Sequence, residues 1–429
     1  MKRIQNVRAL ATTDARRDAL AIAEAGYVAI DVGVAIEHRV RFAHEELHIA
    51  EKVYRLYGRR IYFVGVGKCA LTAARAVEKL LGDRLAGGIA LDVSPLTGHP
   101  LSKIETYVGT HPLPSETNKV ATERIIEFLS GRREDDFVIF FISGGGSTLL
   151  FLPPSGMTNT DESKLFRELT ARGAPIQDLN TVRKHISRAR GGGLAFAAYP
   201  SEVISLIVSD VPSGDLTVVA SGPTVLDSST VEDARKLLAK YDVAFPTSAS
   251  FIETQKDEKY FKRVTNTLFL SNQDALSAMH DEAVRLEYDV TIVNDRFTGE
   301  ARSVGRIVAE KLHDSPANTV LLYAGESTVT VSGTSGAGGR NQELALSALQ
   351  YLNPDELILP LASDGHDNTA HAGAIADATT RANARVHHIS ADEYMNAHRS
   401  YDFFTTTGDA LVTGYTGSNV SDLIIALKK

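Results

Sequence analysis

The stretch at residues 137–150, FVIFFISGGGSTLL, constrains this chain more than any other. Six consecutive apolar residues, three of them Val or Ile, run into Ser143, Gly144, Gly145, Gly146, Ser147 and Thr148. An apolar run closed by glycines predicts a strand buried on both faces of a parallel sheet. Glycines at the carboxyl end of such a strand let backbone N–H groups converge with no Cβ in the way. A helix starting at Ser147 or Thr148 would add its positive end, making an anion the natural guest. The plainer alternative is a tight strand-to-helix turn with no ligand.

At 429 residues the chain exceeds one ordinary core, so two domains are expected, divided near residues 240–260. A hydrophobic fraction of 43% and a charged fraction of 23% are those of a soluble globular protein. The net charge is −8, from 45 Lys and Arg against 53 Asp and Glu. That balance argues against a general nucleic-acid or membrane-surface binder. Cys69 is the one cysteine, which excludes an intramolecular disulfide framework and a Cys-rich metal site and fits a reducing compartment. No apolar signal core follows Met1-Lys2-Arg3, and no run approaches the length of a membrane span. The cytoplasm is the expected location.

Residues 8–57 read as helical, rich in Ala with three- and four-residue apolar spacing. Thr13 or Asp14 is the expected cap and Gly26 the expected stop. Strands are then expected at residues 60–66, 89–93, 106–110, 137–142 and 202–208, with helices at 70–81, 119–129, 165–171 and 176–189. A fresh strand–helix–strand unit is expected over 267–293, followed by a helix at 300–312 and a strand at 319–324. A helix at 341–352 and a strand at 357–362 come next, and residues 403–425 read as short strands, turns and one helix. This alternation describes an open α/β sheet, in which ligands sit at the carboxyl ends of strands.

Gly65-Val66-Gly67-Lys68 resembles part of a P-loop, but Tyr62 stands where the first glycine is required and Cys69 where Ser or Thr is. A dinucleotide fingerprint fails too, because Ala70 takes its third glycine position. What remains is Lys68 among small residues at a strand-to-helix turn, a good place to meet an anionic oxygen. A solvated surface lysine is the plainer alternative. Asp210 and Asp215, in SDVPSGD, follow a strand directly. A carboxylate there can hold Mg²⁺ through water, accept a proton from an alcohol, or simply cap its loop. His111 at a strand end suits substrate contact or a bond to backbone. Arg183, Lys184, His185, Arg188 and Arg190 cluster before a triple glycine and could line a carboxylate or phosphate pocket, although helical spacing turns some of them to solvent. Further on, Gly325-Glu326-Ser327-Thr328 precedes Gly338-Gly339-Arg340-Asn341, which opens a helix. Arg340 beside that N-terminus would reinforce its attraction for phosphate. Residues 363–369, SDGHDNT, bring Asp364 and Asp367 into what looks like a cation loop without the EF-hand spacing.

Taken in order, GVGKCA, THPLP, SGGGSTLL, LNTVRKHIS, SDVPSGD with VASGPT, GESTVTV, GGRNQE, SDGHDNTAHAGAIAD and TGDALVTGYTGSNVSDL resemble the class II glycerate kinases. The resemblance runs from about residue 10 to the end. It implies an α/β fold with a Rossmann-like amino-terminal domain (residues 1–245) and a smaller MOFRL-type carboxyl-terminal domain (262–429), with the ligands in the cleft between them. It also implies transfer of the γ-phosphoryl of ATP to D-glycerate with Mg²⁺, generally giving 2-phosphoglycerate. The family's lysine falls on Lys68, its catalytic aspartate on Asp210, its second-domain arginine on Arg340 and its glycine loop on Ser143 to Ser147.

Further candidates for substrate or phosphate are His111, Lys184 and Arg190, and for the cofactor Gly325, Glu326, Gly339, Asn341 and Asp364. Ser115 and Arg190 stand where Asp and Lys are commoner in the family. In this reading Lys68 and Arg340 stabilise the transferring group from opposite domains, and a hinge is expected near 240–265. Asp210 orients or deprotonates the hydroxyl or holds the metal; the two roles stay open. The alternatives are a kinase of another small hydroxy acid, a hydroxypyruvate or tartronate reductase, and a sugar-acid sensor. Neither nucleic acid nor membrane is an expected partner, and a homodimer is left open.

Overall fold

A computed structural model describes residues 2–95, 98–209, 215–331 and 336–429. The chain divides into two compact units, and neither is a simple half of it. A central unit holds Val32–Leu270, and a terminal unit joins Met1–Asp31 to Ser271–Lys429.

The central unit begins with a departure from the expected helix. Helix Val32–Arg39 gives way to a small antiparallel sheet, β1 (Val40–Ala43), β2 (Glu46–Ile49) and β3 (Lys52–Arg55). His44, Glu45 and Ala50 take left-handed backbone conformations at its two tight turns. The alanine-rich helical period of the preceding residues masks the short alternation of VRFA and ELHI.

A fully parallel sheet follows: β4 (Ile61–Val66), β5 (Leu85–Asp92), β6 (Ile104–Val108), β7 (Phe137–Ile142), β8 (Glu202–Val208) and β9 (Val264–Leu270). Its order is β6-β5-β4-β7-β8-β9. Every residue of β4 and β7 is buried, as continuous apolar runs in a two-faced sheet require. One face packs Val64, Ile89, Phe140, Ile142 and Val203 against Ala121 and Ile125 of helix Glu116–Leu129. The strand order reverses between β4 and β7, so their carboxyl ends form a topological switch point. β9, expected to open the second domain, is instead the edge of this first sheet, paired in parallel with β8.

The terminal unit carries a mixed sheet of β10 (Asp289–Glu300), β11 (Thr319–Thr328), β12 (Glu356–Ala362), β13 (Gly373–Ala374), β14 (Ala410–Leu411) and β15 (Asp422–Lys428). Its order is β10-β11-β15-β12-β13-β14, parallel only at β10–β11. The last strand of the chain thus lies inside the sheet, and six of its seven residues are buried.

Helix Asp14–Ala29 packs on helix Asn272–Arg285 of the same unit. Gly26 does not stop that helix; a Cβ there would lie 2.8 Å from Met279, so glycine permits the close crossing. Arg16 is buried between Asp377 and Asp409, at 2.7 and 2.8 Å. Apolar packing and this charge cluster place the first 31 residues with the terminal unit, whereas sequence reading put them in the first domain.

Candidate active site

In the central unit the turn after β4 and the turn after β7 are laced together. Gly67 has φ of +126°, and a Cβ there would stand 2.2 Å from Ser143 Oγ. Only glycine lets the two turns approach this closely. Lys68 N–H donates to the Gly144 carbonyl at 2.9 Å and Ser143 N–H to the Val66 carbonyl at 2.9 Å. Cys69 N–H donates to Ser143 Oγ at 3.3 Å. Gly145, with φ of +84°, faces both Lys68 and His111: its Cβ position is 3.3 Å from Lys68 Cγ and 3.5 Å from His111 Cδ2. Residues separated by more than seventy positions in the sequence are thereby gathered at the switch point, where α/β sheets bind ligands.

The helix expected after the glycines is a single turn, Gly146–Leu149. Its dipole is correspondingly small, so the positive charge here belongs to Lys68. Ser147 Oγ lies 2.9 Å from Ser221 Oγ, which itself donates to Asn180 Oδ1 at 2.8 Å. Ser147 is therefore the donor to Ser221. Ala220 and Ser221, with φ of +52° and +60°, hold a left-handed backbone that non-glycine residues rarely adopt. Sequence reading singled out neither Ser221 nor Asn180, although they stand in the motifs VASGPT and LNTVRKHIS.

Two helix N-termini that looked like anion seats are already filled. At the end of β5, Asp92 accepts from Leu71 N–H at 3.0 Å and so caps helix Ala70–Leu81. It also accepts from Val93 N–H at 2.7 Å and Ser94 N–H at 3.3 Å. Burial nevertheless pushes its pKa up to about 7. The terminal unit repeats the device. After β12, Asp367 accepts from Asn341 N–H at 3.0 Å and Gln342 N–H at 2.8 Å, capping helix Arg340–Ala348. Burial, with Asp422 nearby, raises its pKa to about 6. Gly339 is what allows this cap, since a Cβ there would meet the Asp367 carbonyl oxygen at 2.0 Å. The expected attraction of this N-terminus for phosphate is thus taken up internally.

Arg340 does stand at the first position of its helix. Its guanidinium donates to both oxygens of Asp422, at 2.5 and 3.2 Å, and to Glu326 at 3.1 Å. These carboxylates hold Arg340 more firmly in its charged form, while burial pushes the Asp422 carboxyl up against the pull of Arg340. Gly325 faces the β10 backbone, where a Cβ would lie 2.2 Å from the Phe297 oxygen, so its place is set by strand pairing. Asp364 accepts from His366 N–H at 3.0 Å.

Lys184 and Arg190 line a cavity of about 250 Å³ in the central unit, and each has an internal carboxylate. Lys184 pairs with Asp227 at 3.1 Å and Arg190 with Glu162 at 2.7 Å. Asp215 accepts from Thr217 N–H at 2.9 Å and from its hydroxyl, a loop cap. Asp210 lies outside the described residues. Among the described residues no group of three or more His, Cys, Asp or Glu is placed to hold a metal ion, and no single helix is long and apolar enough to cross a membrane.

Residues 18–253 match the family described as a domain of unknown function (DUF4147), and residues 319–422 match the MOFRL family. A D-glycerate 2-kinase of Thermotoga maritima is 35% identical over 88% of this chain and 93% of its own. The chain belongs to the MOFRL-family glycerate kinases. A crystal structure of glycerate kinase from Thermotoga maritima superposes with a TM-score of 0.83 at 32% identity, covering 96% of this chain and 99% of that one. Another relative, from Agrobacterium vitis, is 37% identical over 85% of this chain and 86% of its own, and is provisionally named a hydroxypyruvate reductase. The two names raise a choice of chemistry within one glycerate kinase fold.

Proposed function

We propose that this protein transfers the γ-phosphoryl group of ATP to the 2-hydroxyl of D-glycerate, giving ADP and 2-phosphoglycerate. The observation that carries the reading is the convergence of Lys68 and His111 on Gly145 at the switch point of the parallel sheet. It stands in a chain whose family contains glycerate kinases. Phosphoryl transfer needs positioning, positive charge around the transferring oxygens, and a group to guide the alcohol proton. With Asp92 occupying the N-terminus of helix Ala70–Leu81, that charge falls to side chains. Lys68 is assigned to the charge of the phosphoryl group, and Arg340 is the second cation assigned to it.

Asp210 is assigned either to orient or deprotonate the glycerate hydroxyl or to hold Mg²⁺. Magnesium is held mainly by substrate phosphates with one or two protein carboxylates, and in the second role Asp210 would be its protein ligand; bound, it would neutralise charge on the phosphoryl oxygens. The reading places the enzyme in the cytoplasm. The reductase alternative is weakened by the same cap: a nicotinamide dinucleotide rests its pyrophosphate on the first helix N-terminus of such a sheet, and a buried carboxylate sits there.

The test is ATP-dependent phosphorylation of D-glycerate with Mg²⁺, coupled to enolase alone or to enolase with phosphoglycerate mutase. A signal with enolase alone supports the 2-phosphate. A signal that needs the mutase moves the transfer to the 3-hydroxyl. Absence of ADP release, together with NADH oxidation in the presence of hydroxypyruvate, would reverse the choice of chemistry.

A further inference from the structure

His111 reaches Gly145 from a segment that belongs to no helix or strand: β6 ends at Val108 and the next helix starts at Glu116. A side chain on such a link keeps one position only if its backbone is tied elsewhere. The tie is Asn118, fully buried in the first turn of helix Glu116–Leu129. Its Oδ1 accepts from Thr110 N–H at 2.8 Å and from the Ser115 hydroxyl at 2.9 Å. Its Nδ2 donates to the Thr110 carbonyl at 3.0 Å and to the Thr148 carbonyl at 3.1 Å. Two acceptor and two donor positions are the whole capacity of an amide. Each of them is taken by the segment that carries His111 or by the turn after β7.

Thr148 completes the clamp. Its N–H donates to the Gly145 carbonyl at 3.1 Å, and its hydroxyl to the Pro112 carbonyl at 3.2 Å. His111 is therefore held on both sides, at Thr110 by Asn118 and at Pro112 by Thr148. Thr148 is itself tied to the glycine that His111 faces. Gly109 leaves room for the amide, since a Cβ there would stand 3.0 Å from Asn118 Oδ1 and 2.6 Å from Leu149 Cδ2. The same groups do little for the helix. Ser115 occupies its N-cap position, yet the hydroxyl bonds no helix N–H and goes to Asn118 instead. A network serving helix stability would cap backbone N–H groups, whereas this one joins two loops.

We infer that Asn118 is a positioning residue for phosphoryl transfer, fixing His111 beside Lys68 over Gly145 so that both meet the substrate in one arrangement. The inference rests on the kinase reading above; Asn118 acts through His111 and touches no reacting atom. Aspartate is the sharpest probe of it. It has the same shape and still accepts from Thr110 N–H and Ser115, while the Thr110 and Thr148 carbonyls lose their donor.

The experiment is a double-mutant cycle of Asn118→Asp with His111→Ala, read as kcat/KM for glycerate at about pH 8, where the new carboxylate is ionised. Asn118→Asp alone should lower kcat/KM about 100-fold, as misplacement by an ångström does. In the His111→Ala background it should cost no more than about twofold, because nothing remains to be positioned. An equal loss in both backgrounds assigns Asn118 to the fold and overturns the inference, as does wild-type kcat/KM in either single variant. Ser115→Ala removes one of the bonds to Asn118 at a partly exposed position, and it keeps the cycle readable if the aspartate variant does not fold. It should lower kcat/KM about three- to tenfold, again only while His111 is present. Whatever acid is phosphorylated, the His111 ring resonances can be identified by their loss in His111→Ala. Without ligand they should be single and sharp in wild type and broadened or doubled in Asn118→Asp. Unchanged resonances overturn the positioning. Altered resonances in a protein that phosphorylates no glycerate uphold it and overturn the substrate.

Discussion

Lys68 bears the heaviest chemical assignment of any side chain here, and the structure supports it with a rigid surround: a left-handed Gly67, a backbone bond to Gly144, and His111 across Gly145. Lys68→Ala is expected to lower kcat about 100- to 1,000-fold, as loss of one preorganised charge stabiliser does, with circular dichroism and melting unchanged. Near-normal turnover would remove Lys68 from the reaction. Asp92 makes a prediction of a different kind. Its carboxyl is protonated more readily folded than unfolded, since its pKa is raised from the usual carboxylate range to about 7. The folded state therefore binds the extra proton between about pH 4 and 7, and this residue's contribution to stability falls as pH rises through that window. Wild type should lose on the order of 1 kcal/mol per pH unit relative to Asp92→Asn between pH 5 and 7, read from urea midpoints; parallel pH profiles would refute it. Lys68 was legible because Gly65 and Gly67 precede it at a strand end. Asp92, Ser221 and Asn180 were not, because each acts through a partner that only the tertiary fold supplies.

At the scale of elements, the molecule uses one solution twice: a buried aspartate from the end of another strand closes a helix N-terminus that a glycine leaves open or a small-residue turn begins. Asp367→Ala should cost about 2 kcal/mol through two uncapped N–H groups, with faster amide exchange at Asn341 and Gln342 than elsewhere in the terminal unit. Uniform exchange across that unit would show that the cap is dispensable. Strands and helices from residue 60 onward were largely readable, because a two-faced parallel sheet demands the continuous apolar runs of β4, β7 and β8. The sheet at 40–55 was not, since its strands are four residues each and their alternation is too short to outweigh the helical period before them. The two helices at Ala378–Val386 and Ala391–Asn396 also went unread, being short and lacking a strong apolar stripe.

For the whole molecule, the division into α/β units was legible but their membership was not. Periodicity shows what an element is, and only packing shows which core receives it. Arg16 reports on that membership. Arg16→Met would leave Asp377 and Asp409 buried without their guanidinium, an expected loss of about 3–5 kcal/mol. In scanning calorimetry the terminal unit's transition should move to lower temperature, and the shift should shrink in acid as the orphaned carboxylates take up protons. A transition that does not move would detach the amino-terminal helix from that core. The interleaved membership also has a consequence for biosynthesis. Every residue of the central unit leaves the ribosome before β15 exists, so that unit can complete its sheet while translation continues. The terminal unit cannot, because its interior strand β15 follows every other strand of that unit in the sequence while helix Asp14–Ala29 precedes them all. Helix Asp14–Ala29, with Leu20, Ile22 and Tyr27 on the side destined for burial, must wait until residues 271–429 are made for the surface that covers it.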